Sequence, residues 1–187
     1  MNFNRHYELE GKHAFLSASK YHWLNYDKDR LISVYENNKA KMQGILLHQF
    51  ACDAINYRIC LAETEDSTLS VYVNDCIANE MTPEVVLYYS KYAFGTADAI
   101  SYSQEDQLLK IYDLKTGKTP ANIKQLYIYA GLFCLEYQVN PNDIKIELRI
   151  YQNNDILVCE PEPNEIWDVM DKIIAFDNIL RNIDEEG

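Results

Sequence analysis

The chain has 187 residues, 48% of them apolar and 12% aromatic, enough to bury one ordinary core and too apolar for an intrinsically disordered protein. A net charge of −12 argues against a protein that coats nucleic acid through bulk charge. The charge is uneven: residues 1–58 carry eight Lys/Arg against six Asp/Glu, and residues 159–187 carry two against nine, so any phosphate-binding surface must be local.

Five cysteines at 52, 60, 76, 134 and 159 form no C-x-x-C pair, which suits reduced thiols in a cytosolic protein and gives no zinc or iron–sulfur spacing. The start, Met-Asn-Phe-Asn-Arg-His-Tyr-Glu, does not read as a signal peptide, and no apolar run approaches membrane-spanning length. A cytoplasmic protein without membrane contact is expected. The acidic end reads as a solvated helix face, with a docking or autoinhibitory surface as the alternative.

Taken in chain order, Ser17-Ala-Ser19 before Lys20 predicts a capped short helix over 18–26. A loose helical stripe of Met42, Ile45, Leu46, Phe50, Ile55 and Ile59 predicts a longer helix over 38–61, and another is placed at 68–79. The period then changes to two. Strands are predicted at 85–92, 94–102 and 108–115, the last two separated by the polar turn 103–107. Pro120 opens a helix over 121–138, and Asn140-Pro-Asn ends that connection. Residues 144–151 alternate, with Ile144, Ile146, Leu148 and Ile150 on one face and Lys145, Glu147, Arg149 and Tyr151 on the other. A terminal helix over 163–182 follows Pro161 and Pro163.

Helix, three strands, helix, strand is the resulting order. Three strands form a meander, and strand–helix–strand from 108 to 151 implies a parallel crossover. The expectation is therefore a mixed α/β fold, one domain over 1–187 with a core at about 38–151, its mixed sheet flanked by helices. No repeat or linker interrupts it.

Chemistry concentrates at the end of the third strand. Asp113 and Lys115 are two apart, so their side chains project to one side. A charged pair ending an apolar run is costly when buried without a partner, and a divalent cation would supply one. Gly44-x-x-x-His48 on the early helix, Gly95-Thr-Ala-Asp98 on the second strand and Gln125-x-x-x-Tyr129 on the following helix converge on the same sheet. Gln125 and Tyr129 are four apart and share a helix face.

At these four motifs the chain resembles the PD-(D/E)XK nuclease superfamily, specifically its RecB-type branch, which includes CRISPR-adaptation nucleases and phage-encoded recombination exonucleases. The resemblance covers residues 44–129 and implies a restriction-endonuclease-like core extending to about 151. It implies that His48, Asp98 and Asp113 bind Mg²⁺ or Mn²⁺, with the backbone carbonyl of Leu114 completing the shell. Lys115 would orient or activate the attacking water, while Gln125 and Tyr129 would lie beside that lysine and the DNA. Lys118 and Lys124 stand nearby as expected phosphate contacts. The cysteine cluster that holds an iron–sulfur centre in some relatives is missing, so no such cofactor is expected. Thr-Ala replaces the proline of the first superfamily motif, as is common in this branch. The implied activity is exonuclease-type DNA hydrolysis in recombination or repair, phage-encoded and acting in an infected host cell, with a recombination protein as a further partner. Strand preference, polarity and oligomeric state are not readable, and nothing signals the rings that some relatives form.

The chemistry agrees: carboxylate and carbonyl oxygens suit Mg²⁺ or Mn²⁺, and one imidazole biases toward Mn²⁺. Taken singly, every residue has a plain structural alternative. His48 could be a structural or surface histidine, Asp98 a turn former, and Asp113–Lys115 a solvent-facing ion pair of roughly 0–1 kcal/mol. Gln125 and Tyr129 are ordinary helix-surface types, and Lys115-Thr-Gly-Lys118 lacks the frame of a phosphate loop. Two rival readings follow. One is a weak or inactive domain of the same fold that binds DNA ends or a partner; the other is an enzyme acting on RNA or nucleotides.

Overall fold

The computed structural model describes residues 4–62 and 67–186. Residues 1–3, part of the stretch read as lacking a signal peptide, lie outside them. The chain divides into two compact units, Met1–Gln43 and Gly44–Gly187.

In the first unit, the predicted short helix is a 3₁₀ segment, Ala18–Asn25, whose turn is broken at Lys20. Ser17 does not cap it through its side chain; its carbonyl accepts the indole N–H of Trp23 at 3.0 Å instead. Helix α1 (Lys28–Asn56), which belongs to the second unit from Gly44 onward, begins ten residues before the predicted start. Asp27 accepts the N–H of Arg30 at 2.8 Å, an ordinary acidic cap. The first turns do carry Leu31, Ile32, Val34 and Tyr35, but the largely polar stretch 36–41 (Glu-Asn-Asn-Lys-Ala-Lys) interrupts the apolar stripe between them and Met42. The helix stops at Asn56, short of the expected 61, because Arg58 turns left-handed (φ 54°) and the N–H of Ile59 closes back on the carbonyl of Ala54.

The second unit carries helix α2 (Thr68–Ala78), capped by Ser67, and then strands β1 (Thr82–Ser90), β2 (Ala93–Ser103) and β3 (Leu108–Lys115). Helix α3 (Lys124–Tyr137) starts three residues after the predicted 121, where Asn122 accepts the N–H of Lys124; Gln138 closes it in the left-handed conformation. Strand β4 (Lys145–Gln152) follows, then β5 (Asp155–Cys159) and the long helix α4 (Pro163–Glu186). The sheet runs β1-β2-β3-β4-β5, antiparallel except for the parallel β3–β4 pair. The meander and the parallel crossover are both as expected.

Strand β5 is absent from the sequence reading. Its hairpin turn is Asn153-Asn154, both at positive φ (52° and 61°), the residue type and conformation of a two-residue turn. That pair was the available signal.

Two cores cover the sheet. Leu126, Ala130 and Phe133 of α3, with Ile166 and Met170 of α4, pack on Leu87, Ile111, Leu148 and Ile150. Ala51, Ala54 and Ile55 of α1, with Tyr72, Val73 and Cys76 of α2, pack on Ala99, Tyr112, Leu114 and Tyr151. The predicted polar face of β4 is thus partly a second core, since Tyr151 is fully buried. No helix is long and apolar enough to cross a membrane.

Candidate metal centre

The centre forms where β2 changes face. Ala97 joins the α3–α4 core and Ala99 the α1–α2 core, although regular alternation would put both on one side. The ladder pairs Pro83 with Ala99 and Val85 with Ala97, leaving Glu84 and Asp98 facing each other in the gap. Glu84 has φ 53°, a left-handed backbone that a non-glycine residue adopts at a cost of about 1–2 kcal/mol. This local irregularity turns two carboxylates toward α1.

There they meet His48. One ligand atom each from His48, Glu84 and Asp98 lies within 4.8 Å of the others. His48 Nδ1 is 3.4 Å from Asp98 Oδ2, and the Leu114 N–H donates to the same oxygen at 3.0 Å. The glycine four residues before His48 has a steric reason. A Cβ on Gly44 would come within 2.7 Å of Thr116 Oγ1, so glycine lets α1 close onto the end of β3.

Asp113 stands outside that cluster of three, on the β3 face that looks toward α3. The residue is 1% exposed. Lys115 Nζ lies 3.1 Å from Oδ1 and 2.9 Å from Oδ2, yet only the Oδ1 contact is aligned as a hydrogen bond. Oδ2 is left as a buried acceptor with no aligned donor among the described residues. The same ammonium donates to Gln125 Oε1 at 2.9 Å, and Gln125 Nε2 donates to Tyr129 Oη at 3.0 Å. A lysine only donates, so the amide must turn its oxygen to Lys115 and its nitrogen to the phenol. A Cβ on Gly95 would lie 2.9 Å from Tyr129 Cε1; glycine there lets this ring settle on β2.

Electrostatics mark the site as acid-rich. Burial first, and the charge of Asp113 second, push Asp98 up to about 6 despite the opposing His48, Leu114 N–H and Lys115. Burial also raises Asp113 above the usual carboxylate range, against the hydrogen bond and charge of Lys115. Burial raises the Tyr129 phenol, which therefore stays neutral.

The structure thus brings together His48 with Asp98, and Asp113 with Lys115, Gln125 and Tyr129. Leu114 sits between the two groups, its N–H on Asp98. Among the described residues, no hydrogen bond or ion pair joins Lys118 or Lys124 to them. Lys118 is exposed in a loop whose Gly117 and Thr119 carbonyls accept from Gln152, and Lys124 lines the α3–α4 groove with Glu165 and Asp168. The residue that sequence reasoning missed is Glu84. The first strand was expected to begin at 85, and an acid beside Pro83 looks like an ordinary strand start.

A bound divalent cation fits this donor set on two grounds. The clustered atoms are two carboxylates and an imidazole, the mixture that holds Mg²⁺ or Mn²⁺. The carboxylates of Glu84, Asp98 and Asp113 outnumber the one lysine beside them, and Asp113 Oδ2, though 2.9 Å from that ammonium, has no aligned donor among the described residues. No protein-family model matches this chain, and no curated protein or solved structure matches it.

Proposed function

We propose that the protein is a Mg²⁺- or Mn²⁺-dependent nuclease that hydrolyses DNA phosphodiester bonds on a restriction-endonuclease-like core, acting in exonuclease fashion on linear DNA. The observation that carries this reading is the His48–Glu84–Asp98 cluster, whose Asp98 feels the charge of Lys115, a lysine held between Asp113 and Gln125. Neither half would be informative alone. Together they support a cation site near a positioned ammonium, which is what attack on an anionic phosphodiester requires.

His48, Asp98 and Asp113 are the assigned ligands, with Glu84 added by the geometry and the Leu114 carbonyl retained from the sequence motif. When bound, the cation would polarise a phosphoryl oxygen, lower the pKa of bound water and offset developing charge. The protein's own groups do the rest. Lys115, held on two sides, orients the attacking water and stabilises negative charge as it develops on the phosphate. Gln125 keeps the ammonium from collapsing fully onto Asp113, and Tyr129 holds Gln125 in its one productive orientation. Such preorganised donors lower the barrier by about 3–4 kcal/mol each.

The test is degradation of linear DNA with Mg²⁺ or Mn²⁺ by the parent and by Asp98→Asn, Asp113→Asn and Lys115→Ala. Cation-dependent cutting lost in all three supports the assignment; equal cutting by the variants would mean a different site or a contaminant.

A further inference from the structure

The β1–β2 ribbon continues past the end of its pairing with β3, which stops at Ala99–Tyr112. One face of that extension is packed: Leu87 and Ala97 enter the α3–α4 core, Gly95 lies under Tyr129, and Glu136 of α3 accepts the N–H of Tyr88 at 2.8 Å. At its tip, the Ser90 hydroxyl donates to buried Asp177 of α4, and Lys91 pairs with Asp184 at 2.7 Å. The ribbon is therefore held rigidly from behind.

Its other face is the one that carries Glu84 and Asp98. Stepping outward in register, the next pair is Val86–Thr96 and the next Tyr88–Phe94. The two rings are 6.4 Å apart between centroids, tilted by 32°, and 51% and 62% exposed. Strand side chains on one face repeat about every 7 Å, so the ring pair lies about 14 Å from the carboxylates. Stacked nucleotides advance about 3.4 Å each along a strand, so this distance corresponds to about four nucleotides.

We infer that Tyr88 and Phe94 form a stacking platform for unpaired bases of a single-stranded nucleic acid whose phosphodiester reaches the metal centre. The inference rests on the nuclease reading for its direction but has its own observation, the aromatic pair in register with the acids. In a duplex, base planes are covered by their neighbours, and a ring face reaches a base only where the strand is open. A chain of net charge −12 gains little from the many phosphate contacts a duplex needs, whereas stacking is independent of charge. Two rings and Val86 expose on the order of 300 Å², well below the roughly 800 Å² per partner of a stable protein interface. Single-stranded nucleic acid is the occupant that fits both the size and the position.

The test uses the full chain with Ca²⁺ in place of the catalytic cation and a fluorescein-labelled dT20 probe against a duplex hairpin of equal length. Tyr88→Leu and Phe94→Leu keep apolar bulk but remove the rings. Each should weaken dT20 binding about tenfold, while Tyr88→Phe stays within about twofold. The parent should bind the duplex more weakly than dT20. Leucine variants that bind dT20 like the parent, or a duplex bound as tightly and hurt equally, would overturn the inference. Hydrolysis of bis(p-nitrophenyl) phosphate, too small to touch the rings, separates the two readings. It should survive the leucine variants and vanish in Asp98→Asn. Ring-dependent dT20 binding with no hydrolysis of either substrate would leave the platform standing and remove the nuclease.

Discussion

Two clusters of ionisable side chains are built into the same sheet, and they are balanced differently. In the first, Arg149 lies 3.4 Å from Asp75 and 3.1 Å from Glu147, over the Tyr112 ring at 4.9 Å. Tyr151 donates to Asp75 at 2.7 Å, Tyr112 donates to Glu147 at 2.6 Å, and Lys110 donates to Asn79 at 2.6 Å. Burial would raise Glu147, but the Tyr112 and Arg149 hydrogen bonds and the nearby cations hold it below its ordinary value. In the second cluster, Glu84, Asp98 and Asp113 share one lysine and one histidine, and both buried acids are raised. The first cluster balances two acids against Arg149 and Lys110, although Arg149 Nε, 3.1 Å from Glu147, has no aligned acceptor among the described residues; its part is structural. The second carries uncompensated acid, which folding alone would not favour; it makes sense as a place where a cation binds.

The largest effect that would break this contrast is on catalysis. Asp98→Asn, Asp113→Asn and Lys115→Ala should each lower Mn²⁺-dependent DNA hydrolysis by about 10²–10³-fold, read as initial rates on a linear substrate. Arg149→Met should leave that rate within a few-fold but cost about 2–3 kcal/mol in urea unfolding, because Asp75 and Glu147 lose their counter-ion. If Arg149→Met abolished activity without loss of stability, the division into structural and functional clusters would be wrong.

A smaller effect sharpens the same point through pH. Asp98 sits at about 6 in the folded protein, against about 3.9 in an unfolded chain. The folded state binds the extra proton between those values, so the metal-free protein should lose stability as pH rises from about 4 to 6. Glu147 behaves oppositely, contributing stability above about pH 4.3 that disappears as pH falls further. Asp98→Asn should flatten the decline between pH 4 and 6 and be the more stable protein at pH 7; saturating Mn²⁺ should restore the parent there. Urea titrations at several pH values measure both slopes. The smallest expected change is from the glycines. Gly95→Ala drives a methyl against the Tyr129 ring and should cost about 1–3 kcal/mol. Gly44→Ala meets the end of the Thr116 side chain, which can rotate, and should cost less.

Much of this arrangement could be read from the residues. Apolar runs with period two located β2, β3 and β4, and the strand–helix–strand order required β3 and β4 to be parallel. The two-residue spacing of Asp113 and Lys115 put both on one side of β3, where Lys115 indeed bridges to Gln125. What could not be read depends on contacts distant in sequence. Glu84 joins His48 and Asp98 only because β2 switches faces between Ala97 and Ala99 and β1 bends into a left-handed conformation opposite. Neither event leaves a mark in a run of Val, Ala and Thr. The early start of α1 was hidden for a local reason, since the largely polar stretch 36–41 separates the apolar residues of its first turns from the stripe that begins at Met42. β5 was missed through turn chemistry that Asn153-Asn154 did display.

On the function proposed above, these acids are gathered to hold a divalent cation. Anomalous diffraction from a crystal soaked in Mn²⁺ tests this most directly. Density bridging His48 and Asp98, with Glu84 or Asp113 in the same coordination shell, is the expected result. A well-ordered soaked crystal with manganese bound only elsewhere, or with none near Asp98, would contradict it.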